Sequence, residues 1–171
     1  MRLLKIIRVM AVVFSGLLAG VYLGDRFGAT PARAALNPSS FVQFQQILHL
    51  HFARLLPLLT LGAALAGLAW LVMLWRNRRT IEFWLVAAST IGILFIIVVT
   101  RAVNVPINDQ LMTWSVSAPP PNLRELWSAW DQIHTIRTTV AIVAFFLEVV
   151  ALNLGRPNHP AANSLYGAAS K

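Results

Sequence analysis

Read as a helix turning 100° per residue, the segment from Trp127 to Thr138 brings Trp127, Trp130, Asp131, His134, Arg137 and Thr138 onto one face. That stripe holds an imidazole able to exchange a proton near neutral pH, a permanent guanidinium, a carboxylate, a hydroxyl and two indoles. These are groups for proton transfer, charge stabilisation and ring contact. Two other stretches add polar groups: Gln45, Gln46 and His49, and Asn104 and Asn108 on either side of Pro106. The two asparagines read either as turn formers that bond backbone groups freed by the proline or as amides offered to a polar substrate group. His49 and His51 project about 200° apart on a helix and cannot grip one ion together. His49, His134 and either Asp131 or Asp109 would form a facial triad, but the expectation is that no metal is bound. Interface anchoring accounts for the same residue types, since Trp and His populate membrane-interface belts and Arg snorkels to headgroups. Trp127 is read that way first, whereas His134 and Arg137, one turn apart and beside Thr138, are expected to face the protein interior.

The elements that must hold these groups are four apolar stretches, roughly Ile6–Leu23, Leu55–Trp75, Phe83–Val103 and Ile136–Leu154. Each approaches the ~20 residues a helix needs to cross ~30 Å of hydrocarbon. Backbone groups in a bilayer must be satisfied within the segment, and the alternating pattern of a barrel is absent, so the expected fold is an all-α four-transmembrane-helix bundle with two short outer-face helical extensions. The chain has 171 residues, 57% of them hydrophobic and 12% charged, which suits one membrane domain over residues 1–155 and a polar tail over 156–171. The net charge of +8 comes from basic residues that flank apolar segments instead of lining one polar face, so no nucleic acid partner is expected. With no cysteine, disulfides, thiolate ligands and a thiol nucleophile are excluded.

Arg2, Lys5 and Arg8, then Arg76, Arg78 and Arg79, then Arg156 cluster at one set of helix ends, which predicts a plasma (inner) membrane protein with both termini cytoplasmic. Ala32-Arg33-Ala34 resembles a signal-peptidase site but lies well past the apolar run, and the first helix is expected to stay. Gly16, Gly20 and Gly24 space small residues four apart, a seam suited to a close helix partner or a homo-oligomer. Gly28, Pro31, Asn37 and Pro38 predict an irregular crossing, after which Ser40 and Gln43 form a capping box for a helix that runs into the second span and kinks at Pro57. Pro106 is expected to stop the third helix and hold Val105 extended. Asn122 and Glu125 should cap a last helix that passes unbroken into the fourth span. Glu148, inside that span, is expected to pair with Arg8 or Arg76 or to be protonated. His159 has no expected chemistry.

Three motifs in this order carry a family resemblance: Phe41-Val42-Gln43-Phe44-Gln45-Gln46-Ile47-Leu48-His49 leading to Arg54 and Pro57; Asn104-Val105-Pro106-Ile107-Asn108; and Trp127 and Trp130 with His134-Thr135-Ile136-Arg137-Thr138. The chain resembles the anthrone oxygenase-like family of four-helix membrane proteins over about 85% of its length, from the first helix to the fourth span. The resemblance implies that molecular oxygen oxidises an activated aromatic carbon, an anthrone-type methylene becoming a quinone carbonyl, with no bound cofactor. On that implication His49 or His134 is the base, and Arg137 with Asn104 or Asn108 stabilises the developing enolate oxygen. Trp127 and Trp130 stack on the rings, Gln46 and Thr138 complete a substrate site, and the hydrophobic aromatic substrate enters from the lipid bilayer. The competing expectation is a non-enzymatic scaffold or partner subunit using the same close-packing glycines and polar lobe. A transporter is disfavoured because Glu148 is the isolated charge deep in a span.

Overall fold

The computed structural model describes residues 2–155, so the predicted polar tail, with Arg156 and His159, lies outside the described residues. The described chain is all helical: α1 (Arg2–Gly24), α2 (Thr30–Ala34), α3 (Pro38–Leu74), α4 (Ile81–Val99), α5 (Val105–Leu111) and α6 (Leu123–Leu154). π-helical turns at Asp25–Ala29 and Thr100–Asn104 join α1 to α2 and α4 to α5, so each pair runs on as one rod. Four such rods, Arg2–Ala34, Pro38–Asn77, Ile81–Leu111 and Leu123–Leu154, are long and apolar enough to cross a membrane, the build of a multi-pass membrane protein.

The rods form a square in which α1 and α4 each pack on both α3 and α6. Small residues face inward, among them Ala63, Ala64, Ala141, Ala144 and Ala151, while Leu58, Val72, Ile91 and Phe146 point out. That arrangement fits a lipid surround, where close packing of small residues, not burial of large ones, holds helices together. Gly16 belongs to this packing, since a Cβ there would lie 2.9 Å from Phe145. Among the described residues nothing lies within 4 Å of a Cβ at Gly20 or Gly24.

Several local expectations are corrected. The crossing after α1 is helical to Ala34, because Pro31 falls in the first turn of α2, where its missing N–H costs nothing. Asn37, not Ser40, caps α3, its Oδ1 accepting from Ser40 N at 2.9 Å with Pro38 opening the helix. As expected, α3 runs on through Pro57 into the second span. Val105 is helical, with φ −63° and ψ −50°, because the π turn before it supplies the wider hydrogen bond from its N–H to Thr100 O and Pro106 again falls in a first turn. Asn122 does precede α6, but its backbone oxygen, not its side chain, receives the first N–H groups. α6 then runs unbroken for 32 residues.

Glu148 pairs with neither predicted arginine. Its carboxyl oxygens take hydrogen bonds from Ser15 Oγ at 2.6 Å and Ser89 Oγ at 2.9 Å, joining α6 to α1 and α4. Arg8 instead meets Glu82, which also accepts from Trp70 Nε1, and donates to Gly155 O. This basic end is thus closed by an ion pair, and the opposite, aromatic end holds Phe41, Leu111, Trp114, Leu123, Trp127 and Trp130 as a separate core cluster.

Candidate functional site

Between the aromatic end and the middle of the bundle, both π turns face inward. A π turn inserts an extra residue and rotates the helix beyond it, and such turns concentrate at functional sites. The first buries Asp25, whose carboxylate takes a fork of hydrogen bonds from Arg33, Nη1 to Oδ1 at 2.9 Å and Nη2 to Oδ2 at 3.2 Å. Arg33, 2% exposed, also donates to Thr30 Oγ1 and lies over the Trp130 ring. Nearer the surface, Asp131 receives Arg26 at 3.3 Å and faces Arg33 at 3.7 Å.

His134 and Arg137 continue this network along α6. His134 stacks on Trp130, with ring centroids 5.0 Å apart, and meets the edge of Tyr22. Its Nε2 is 2.8 Å from Asp25 Oδ2 with the N–H off the line to the oxygen, a close electrostatic contact more than an aligned hydrogen bond. Arg137 Nη2 lies 3.3 Å from His134 Nδ1, and because a guanidinium only donates, Nδ1 is the acceptor and the ring proton sits on Nε2 toward Asp25. Arg137 Nη1 donates to Thr100 Oγ1 at 3.1 Å, while its Nε has no partner among the described residues.

Beside this network lies a cavity of about 460 Å³, inside the range of roughly 300–1,000 Å³ usual for small-molecule sites. Its walls are mostly apolar: Leu48, Phe52, Leu56, Pro57, Leu61, Ile97 and Val105. Tyr22, Asp25, Thr60, Thr100, Trp130 and Arg137 provide polar and aromatic lining, as do Gln45, His49, Arg101 and Asn108. Ala53, Pro57, Leu61 and Arg101 are both lining and exposed, which puts the mouth on the flank of the bundle between α3 and the end of α4.

The predicted site residues divide between lining and support. His49, Asn108, Trp130 and Arg137 line the cavity. His134 lies behind them, on an adjoining recess of about 20 Å³ shared with Tyr22, Asp25 and Arg137. Asn104 is buried and donates to Trp130 O at 3.3 Å. Gln46 donates to Leu111 O and Trp114 O, tying down the end of α5. Thr138 bonds its own helix at His134 O, and Trp127 stacks on Trp130 and meets Phe41 edge-on. Neither triad forms, since among the described residues no three His, Asp or Glu side chains gather to hold a metal.

Tyr22 and Asp25, on the cavity lining, and Arg33, which holds Asp25, are residues of this network that the sequence pattern does not single out. Their signal is an Asp-Arg pair eight apart bracketing Gly28 and Pro31, which reads as a polar loop unless the rod is known to continue. Gln45, buried on the cavity wall with an unpartnered Oε1, stands next to the predicted Gln46.

A family model described as anthrone oxygenase matches residues 44–147, over half the chain. The matched stretch holds His49, Asn108, Trp130 and Arg137; Tyr22, Asp25 and Arg33 precede it. No curated protein and no solved structure matches the chain.

Proposed function

The chain belongs to the anthrone oxygenase family, and from that premise we propose that it oxidises a flat hydrophobic phenolic or anthrone-type molecule with molecular oxygen in the cavity beside Arg137. The observation that carries this reading is the cavity itself: apolar walls wide enough for fused rings, a half-buried imidazole at His49 and a buried guanidinium at Arg137 on the same lining. His49 removes a proton from the activated methylene, and the electrons of that C–H bond delocalise onto the ring oxygen, where Arg137 stabilises the charge. The electron-rich carbon reduces oxygen and forms a C–O bond, and the peroxide takes the proton from His49. Loss of the second methylene proton with cleavage of the O–O bond leaves the quinone carbonyl and water. One oxygen molecule thus accepts the four electrons that the methylene carbon gives up.

His134 is a positioning residue in this scheme. Stacked on Trp130 and held at Asp25, it presents Nδ1 to Arg137 and fixes the guanidinium against the cavity. We place the mouth in the outer leaflet, because the basic turn at Arg76–Arg79 marks the opposite end as cytoplasmic.

The test is conversion of a hydroxylated anthrone to its anthraquinone by purified protein, measured above the spontaneous rate. His49→Ala should lower the catalysed rate by about a hundredfold or more, with little change in thermal stability, because among the described residues the His49 side chain makes no hydrogen bond. Conversion by that variant at the wild-type rate would remove His49 as the base, and no conversion by the wild type would sink the oxygenase reading.

A further inference from the structure

The charges around the cavity do not balance. Asp25 is taken up by the fork of Arg33 and by His134, and Asp131 by Arg26 and Arg33. Arg137 is 4% exposed, and among the described residues no carboxylate lies within 4.0 Å of it. Its defined acceptors, the Thr100 hydroxyl and the neutral His134 nitrogen, carry no charge, and its Nε–H is unpartnered among the described residues. The faces of Tyr22 and Trp130, with centroids 5.1 Å and 5.6 Å from its central carbon, soften the charge without cancelling it. An uncompensated buried charge is costly, and proteins remove it by pairing or by binding an ion. Here the guanidinium lines an open cavity, so the counter-charge can come from a molecule that enters it.

We infer that this cavity takes aromatic anions: its ligand carries an ionised oxygen, phenolate or carboxylate, which Arg137 binds in the ground state before any chemistry. This rests on the reading that the cavity holds a flat aromatic molecule, and it narrows the class. Fused aromatic rings lie against Leu56, Ile97 and Trp130, and the ionised oxygen takes the free N–H groups of Arg137. A planar fork suits an oxygen anion better than a point charge does, because two N–H groups can reach it together.

The experiment is equilibrium binding in neutral detergent, read by quenching of tryptophan fluorescence, with two probe pairs. Anthraquinone-2-carboxylate is compared with its carboxamide, and 2-hydroxyanthraquinone with its methyl ether at a pH where the free phenol is ionised. The expected result is that the anion of at least one pair binds about ten- to a hundredfold tighter than its neutral partner, the worth of a charge-assisted hydrogen bond. The pair that shows the larger preference identifies the oxygen as carboxylate or phenolate. Arg137→Gln should abolish the preference, and Arg76→Gln, at the far end of the bundle, should leave it intact. If Arg137→Gln does not fold, Arg137→Lys takes its place and should keep a reduced preference. Equal affinities within both pairs would overturn the inference, as would a preference that survives intact in the Arg137 variant. None of the probes has an oxidisable methylene, so charge preference without anthrone conversion refutes the oxygenase reading alone, and conversion without charge preference refutes this one alone.

Discussion

Asp25 holds the buried polar network together, because Arg33 and His134 both depend on its carboxylate. Removing one member of a buried ion pair strands the other, at a cost of about 3–5 kcal/mol. Asp25→Asn is therefore expected to lower the thermal midpoint in detergent by roughly 10 °C. Asp25→Asn with Arg33→Gln should recover part of that loss, since no charge is then left unpaired. A single variant as stable as wild type would show that the pair contributes nothing. At this scale the sequence is partly legible. The spacing of Trp130, His134 and Arg137 on a helix predicts a shared face, and all three are buried on it. Spacing does not tell lining from support. Gln45 and Gln46 are neighbours on α3, yet rotation by one residue sends Gln45 to the cavity and Gln46 to the backbone of α5. Asn104 and Asn108, equally polar and four apart, divide in the same way, because the π turn ends between them.

The long helices are legible because hydrocarbon thickness and backbone hydrogen bonding leave a bilayer segment little choice. Their extensions are not. Pro31 and Pro106 each look like a stop, and each instead opens a helix directly after a π turn. Whether a proline ends a rod or comes after a π turn depends on the packing around it, and local spacing does not encode that. Inside the bundle, contact between rods depends on residues without side chains. A Cβ at Gly62 would lie 2.7 Å from the Phe14 ring, which packs on the central core, whereas among the described residues nothing lies within 4 Å of one at Gly20. Gly62→Val is expected to cost about 1–3 kcal/mol through overpacking, seen as a lower midpoint of unfolding. Gly20→Ala should be neutral or stabilise by up to about 1 kcal/mol. Equal effects of the two substitutions would contradict this close packing of α1 on α3.

On the scale of the whole molecule, the cavity belongs to no single element: α1, α3, α4 and α6 each contribute lining, and its mouth opens on the flank between α3 and α4. On the proposed function, a hydrophobic substrate dissolved in the bilayer would meet that opening without crossing water. Leu61→Trp, at the mouth and about three helical turns along α3 from His49, is expected to raise KM severalfold while kcat holds, because it obstructs entry and leaves the reacting groups in place. A fall in kcat with unchanged KM would argue against entry by this route. Occupation of this cavity by a flat aromatic ligand with an oxygen on Arg137 can be seen in an experimental structure with a saturating hydroxyanthraquinone. The rings are expected in the cavity beside Trp130, with His49 facing their opposite edge and one ligand oxygen within ~3 Å of an Arg137 nitrogen. A ligand bound on the lipid-facing surface, or lying in the cavity with its oxygens turned away from Arg137, would contradict it.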